Sequence, residues 1–137
     1  MDASDEGLCA IYPARREYLQ VRFDEEDLLS IQAQKEGQPS HFDINTRELM
    51  SAFYAALAWG PNWAELDDVH DVHVLLRIDN TSAVAWDNKR ASRNSFAQLL
   101  LQILVLHEAR FHFYVSAAHI PGLENVMADA GSRIWRS

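Results

Sequence analysis

The sequence predicts an α/β sheet protein, and three features carry that prediction. Short β-branched and aromatic runs occur near the start, middle and end of the chain. Longer apolar runs with helix-capping residues lie between them, and the two kinds alternate instead of segregating. In chain order the elements read β, β, α, β, α, α, β, α, with room for a further strand at the very start.

Each element has its own signal. Leu8 to Tyr12 and Glu17 to Phe23 are β-rich runs separated by Pro13-Ala14, which reads as a hairpin. Asp24 to Asp27 is an acidic run followed by polar residues through Ser40, expected to form a loop with at most one helical turn over Leu28 to Ala33. Asn45-Thr46-Arg47-Glu48 has capping-box spacing, and the helix it opens runs to Trp59, where Gly60-Pro61 is expected to stop it. That helix is apolar nearly all round after Met50, so it is covered on more than one side. Glu48, Ala52, Ala55 and Trp59 share one of its faces. Val72 to Ile78 alternates as a central strand does, with Val72, Val74, Leu76 and Ile78 on one face. Thr81 to Asp87 reads as a short helix, Ser95 to Ala109 as a long apolar helix capped by Asn94, and Phe111 to Val115 as a strand. Pro121-Gly122 turns the chain into a closing helix over Asn125 to Arg133.

The chain has 137 residues, which fits one domain over residues 1–137, and 48% of them are hydrophobic against 23% charged, a globular balance. Cys9 is the single cysteine, which excludes an intrachain disulfide and a cysteine-based zinc site. The longest apolar stretch, Phe96 to Leu106, is interrupted by Gln98 and Gln102 and is too short to span a bilayer. The start of the chain is acidic, unlike a secretory signal. The expectation is an intracellular chain, cytoplasmic or nuclear, with no membrane partner. Twelve basic against 20 acidic residues give a net charge of −8, which opposes non-specific binding to polyphosphate. A nucleic-acid role therefore needs a local basic patch or bound cations that invert the local sign. Lys89, Arg90 and Arg93 form the basic cluster, which either receives a phosphate backbone or is a solvated helix connection.

Four carboxylates stand out by position. Asp2 precedes the hairpin, Glu48 lies in the first turn of the buried helix, Asp79 ends the central strand, and Asp129 lies on the last helix. The exit of a strand is where open α/β sheets place their sites. If these elements pack around one sheet, the four converge, and clustered carboxylates repel unless divalent cations lie between them. Oxygen donors select Mg²⁺ or Mn²⁺. Two such ions can activate a water and stabilise the leaving oxygen of a phosphodiester. Taken singly, each acid also has a structural role open to it. Glu48 can complete the capping box, Asp79-Asn80 can cap the next helix, Asp129 can pair with Arg133, and Asp2 can be an unfixed terminal residue.

Asp2-Ala3-Ser4, Ile44-Asn45-Thr46-Arg47-Glu48-Leu49, Ile78-Asp79-Asn80, His119-Ile120-Pro121-Gly122-Leu123-Glu124-Asn125 through Ala128-Asp129, and Ser132-Arg133 occur in this order. Together they resemble the ribonuclease H domain of retroelement reverse transcriptases, in particular the long-terminal-repeat and tyrosine-recombinase retrotransposon type. The resemblance spans nearly the whole chain. It implies a ribonuclease H-like fold, a five-stranded mixed sheet flanked by helices, and an enzyme that cuts the RNA strand of RNA–DNA hybrids with two Mg²⁺. It also implies a polymerase domain in the same polyprotein as partner. Asp2, Glu48, Asp79 and Asp129 match the family's metal ligands, and His119 its mobile-loop histidine, which assists product release or proton transfer. Ser4, Asn80 and Asn125 fall at substrate-contacting or supporting positions. Only Met1 precedes Asp2, so a truncated first strand is expected, and the chain resembles a piece of a larger polyprotein or a gene model begun at an internal Met. The alternative implied by that truncation is a catalytically inactive remnant or connection-type domain that serves structure or protein contact.

Overall fold

Two sheets, instead of one, carry the strands. The structure, a computed structural model, describes residues 1–37, 42–66 and 70–135. Strands β1 (Asp2–Ala3), β2 (Gly7–Tyr12) and β3 (Glu17–Arg22) form an antiparallel sheet in the order β1-β2-β3. Strands β4 (Val72–Ile78) and β5 (Phe113–His119) form a parallel pair. The expected five-stranded mixed sheet is therefore not formed. The reason lies in β1, which pairs Asp2 with Cys9 and Ala3 with Leu8 but is too short to ladder with β4. Its backbone contact there is Met1 N donating to Arg77 O at 3.1 Å.

The acidic run after β3 is a helix start and not a loop. Asp24 caps α1 (Glu25–Lys35): its carboxylate accepts from Asp27 N at 2.8 Å, and Asp27 accepts from Asp24 N at 3.3 Å. Three further acids fill the first turn, where the helix dipole favours negative charge. Only Ile31 of this helix is buried, which is why no apolar stripe announced it. Residues 38–40 of the expected loop lie outside the described residues.

Helix α2 (Ile44–Trp63) overrides both of its expected ends. Asp43, not Asn45, supplies the cap, accepting from Thr46 N at 2.8 Å, so Glu48 is released from a capping role. The helix also runs through Gly60-Pro61. Proline removes the bond that Leu57 O would otherwise accept, and the His107 ring lies against the Leu57 and Ala56 carbonyls. Gly60 admits the Phe113 ring; a Cβ there would fall 2.6 Å from it. Tertiary packing thus continues a helix that local sequence would end.

Helices α3 (Thr81–Lys89), α4 (Ser95–Phe111) and α5 (Val126–Ser132) complete the chain. Asn80 and Asn94 cap α3 and α4. The strand expected from Phe111 starts two residues later, because His112 takes the left-handed conformation (φ 56°) and closes α4. Helix α2 is buried on most of its surface and packs on α3, α4, β1 and β2, so it bridges the two sheets. The core gathers Leu8, Leu49, Ala55, Ile78, Leu101, Phe113 and Val115 around it. No helix among the described residues is long and apolar enough to cross a membrane.

The outer edge of β5 is closed by side chains. Asn88 Nδ2 donates to Ala117 O at 2.9 Å while its Oδ1 accepts from Ala117 N at 2.8 Å. Arg90 Nη2 donates to Val115 O at 2.6 Å, and Glu108 accepts from Val115 N at 2.8 Å. Because Gly60 sits against Phe113, Gly60→Ala should lower stability by about 1–3 kcal/mol through overpacking, measurable as a reduced urea midpoint.

Candidate functional site

The four carboxylates singled out in the sequence meet at one end of the molecule. Asp2 and Glu48 are each 4% exposed. Glu48 Oε1 accepts from Ala3 N at 3.1 Å, which fastens β1 to α2. Its Oε2 is buried without a hydrogen-bond partner among the described residues. Asp2 accepts from Ser132 Oγ at 2.9 Å, which fastens β1 to the end of α5.

Burial, then the charge of Asp2 and, more weakly, that of Asp79, pushes the Glu48 pKa up to about 9. Burial also raises Asp2, with Ser132 working against the shift and Asp129 adding to it. Two adjacent ionised carboxylates have no proton between them; once Glu48 holds one, it donates to Asp2. Asp129 is half-exposed and accepts from Arg133 Nε at 2.9 Å while also interacting with Asp2. Asp79 stands at the end of β4 beside Gly122, where an added Cβ would fall 3.0 Å from Asp79 Oδ2. His119 Nε2 lies 3.8 Å from Asp79 Oδ1, and both side chains are part exposed. The cluster is thus a chain of neighbours, Asp129–Asp2–Glu48–Asp79, with the buried pair at its centre. Among the described residues no three His, Cys, Asp or Glu side chains group as ligands of a single metal ion.

The other residues marked in the sequence divide into structural and exposed sets. Ser4 is buried, and its Oγ lies 2.6 Å from Ser132 O and accepts from Glu6 N at 3.1 Å, so it clamps the β1–β2 turn onto α5. Asn80 spends both ends of its amide, accepting from Ala83 N at 2.8 Å and donating to Asn45 Oδ1 at 2.9 Å. Asn125 donates to Met1 O at 2.6 Å and is buried. Lys89 and Arg93 are exposed. Arg90 is not available to a phosphate backbone, because Asp87 at 3.0 Å and Glu108 at 2.7 Å hold its guanidinium.

Ser132 and Asn45 escaped assignment although both lie in quoted motifs; a serine one turn after Asp129 was the available signal for the first. The Asp87–Arg90 partner could be read from its i,i+3 spacing, whereas Glu108 is distant in sequence. Searches against protein-family models, curated proteins and solved structures find no match to the chain.

Two expected outcomes follow from these charges. Arg90→Gly keeps the left-handed backbone (φ 55°) accessible but leaves Asp87 and Glu108 buried without their cation, so urea unfolding should show a loss of about 3–5 kcal/mol. The Glu48 pKa of about 9 lies above its ordinary 4.5, so between those values the native state keeps a proton that the unfolded chain releases. The Glu48 contribution is complete below pH 4.5 and is lost as pH rises towards 9. Asp87, raised to about 6, acts in the same direction only at lower pH. Glu48→Gln should therefore flatten the fall in melting temperature between pH 6 and 9, and an unchanged profile would exclude Glu48 as its source.

Proposed function

We propose that the chain is a ribonuclease H-like, divalent-cation-dependent endonuclease that cuts the RNA strand of RNA–DNA hybrids. It acts as the ribonuclease H part of a retroelement reverse transcriptase, with the polymerase domain in the same polyprotein. One observation supports the reading: Glu48 of α2 is buried against Asp2 of β1, Asp79 at the end of β4 acts on Glu48, and Asp129 of α5 acts on Asp2. The charges that act most on Glu48 are those of Asp2 and Asp79, both of like sign. Such strain is costly to keep and is concentrated at functional sites.

The all-oxygen donor set suits Mg²⁺ or Mn²⁺, and Asp2, Glu48, Asp79 and Asp129 are the residues that would hold two such ions. Bound there, hard dications lower the pKa of a water and stabilise the leaving oxygen of a phosphodiester. The chain's own groups do the rest. Ser132 and Ala3 N fix the Asp2 and Glu48 carboxyls in place. His119 Nε2, beside Asp79, can hold or pass on a proton at the open side of the cluster. Lys89 and Arg93 remain exposed to meet phosphates.

A second reading, a non-catalytic remnant or connection-type domain, is favoured by the lack of any three-residue metal-holding group among the described residues. The two readings separate on one variant. Asp79→Asn should abolish Mg²⁺-dependent cleavage of an RNA–DNA hybrid while leaving the melting temperature equal or higher, since it relieves repulsion. Millimolar Mg²⁺ should raise the melting temperature of the native chain and not that of the variant. A native chain that neither cuts hybrid nor gains stability with Mg²⁺ belongs to the second reading.

A further inference from the structure

The outer edges of the two sheets are treated differently. At the far edge of β5, Asn88, Arg90 and Glu108 occupy the backbone groups of Val115 and Ala117, the way proteins block unwanted strand pairing. The outer edge of the other sheet is β3, since the strand order there is β1-β2-β3. Phe23 N donates to Glu6 O at 2.9 Å, which fixes the phase of the β2–β3 ladder. Glu17, Leu19 and Val21 therefore bond to β2, and the N–H and C=O of Tyr18, Gln20 and Arg22 point outwards. No side chain plugs these groups among the described residues. Helix α1 leaves the end of β3 for the β1–β2 turn, where Lys35 Nζ lies 2.5 Å from Asp5 Oδ2, so it does not run along this edge.

The edge is also ordered by charge. Arg15 and Arg16 stand at the hairpin turn ahead of β3, and Asp24 to Asp27 follow its end. Arg16, Tyr18, Arg22 and Asp24 are exposed. An edge that is basic at its start and acidic beyond its end complements an antiparallel copy of itself. About a two-fold axis at Gln20, Tyr18 meets the partner's Arg22, Gln20 meets the partner's Gln20, and Arg16 meets the partner's Asp24. These strand pairs use the outward-facing residues, so each free N–H and C=O of Tyr18, Gln20 and Arg22 finds a mate. An axis at Leu19 would instead set Arg16 against the partner's Arg22. Opposed residues of antiparallel strands share a face. Tyr18, 68% exposed, thus lies beside the partner's Arg22 guanidinium in a cation–π contact. On the other face half-buried Leu19 meets the partner's Val21.

We infer that the protein self-associates through β3, two copies joining edge to edge about a two-fold axis at Gln20 into one continuous antiparallel sheet. Each copy carries a net charge of −8, so approach of two copies is repulsive over most of the surface. The pairing of Arg16 with the partner's Asp24 reverses that sign at this edge and selects the register. The two-fold repeats every contact, so each favourable pair counts twice. The inference does not depend on the nuclease reading.

The test is sedimentation velocity of the native chain from micromolar to millimolar concentration, with amide exchange followed by NMR. A reversible monomer–dimer equilibrium is expected. Exchange at Tyr18, Gln20 and Arg22 should slow as the dimer forms, while Val115 and Ala117 stay unchanged. Arg16→Glu sets like charges against the partner's Asp24 on both sides of the axis and should weaken the dimer about tenfold. Tyr18→Pro removes an outward N–H that β2 does not use, so it should abolish the dimer in a chain that stays folded. Arg16→Glu keeps the test decisive should the proline variant fail to fold. A native chain that stays monomeric throughout overturns the proposal, as does a dimer that Arg16→Glu leaves at native strength. Protection centred on the exposed Leu99 and Leu106 of α4 overturns it as well.

Discussion

The contact between Asp2 and Glu48 is the constraint to which the surrounding elements answer. Two carboxyls are taken out of water side by side, and nothing in hydrophobic packing would put them there. Holding them requires the bond from Ala3 N to Glu48, the hydroxyl of Ser132 on Asp2, and Ser4 tying the β1–β2 turn to the same helix end. Those three fastenings join β1 to α2 on one side and to α5 on the other. A strand of two residues has little cohesion of its own, so the polar bonds around the acids are what position it.

The molecule treats buried charge in two opposite ways. Around Arg90, Asp87 and Glu108 share one guanidinium that also bonds to the backbone of β5, and the cluster serves as structural glue. Around Glu48 the like charges of Asp2 and Asp79 press on the carboxyl, with the Met1 ammonium and the Arg47 guanidinium within electrostatic reach. Ion networks that stabilise a fold satisfy their members, while sites reserved for a ligand leave some unsatisfied. The two clusters differ in that a guanidinium bonds directly to the acids of the first, whereas two carboxyls touch one another at the centre of the second.

Much of this was legible in the sequence. The alternation of Val72 to Ile78 gave β4 to the residue, and the Asn94 cap gave the start of α4. What failed to show has a common cause. Helix α1 buries one residue, so its apolar period is nearly absent, and an acidic run reads equally as loop or as first turn. The end of α2 depended on Phe113 and His107, which lie far along the chain and meet Gly60 and Leu57 only after folding. Arg90 looked like a phosphate ligand because its partner Glu108 is eighteen residues away. The separation into two sheets turned on the length of β1, which sets how many ladder bonds can reach β4.

The left-handed residue at the end of α3 has a consequence for how the molecule comes apart. Arg90 closes that helix with a left-handed cap, its N–H bonding back to the Asp87 carbonyl, and its side chain is held as well by Glu108 of α4 and the backbone of β5. Asn88, one residue before the end, is likewise committed to Ala117. The last turn of α3 is therefore both capped locally and tied to its neighbours. Helix α3, helix α4 and strand β5 share one cooperative fate, and local fraying, which usually begins at helix ends, is denied its ordinary starting point there.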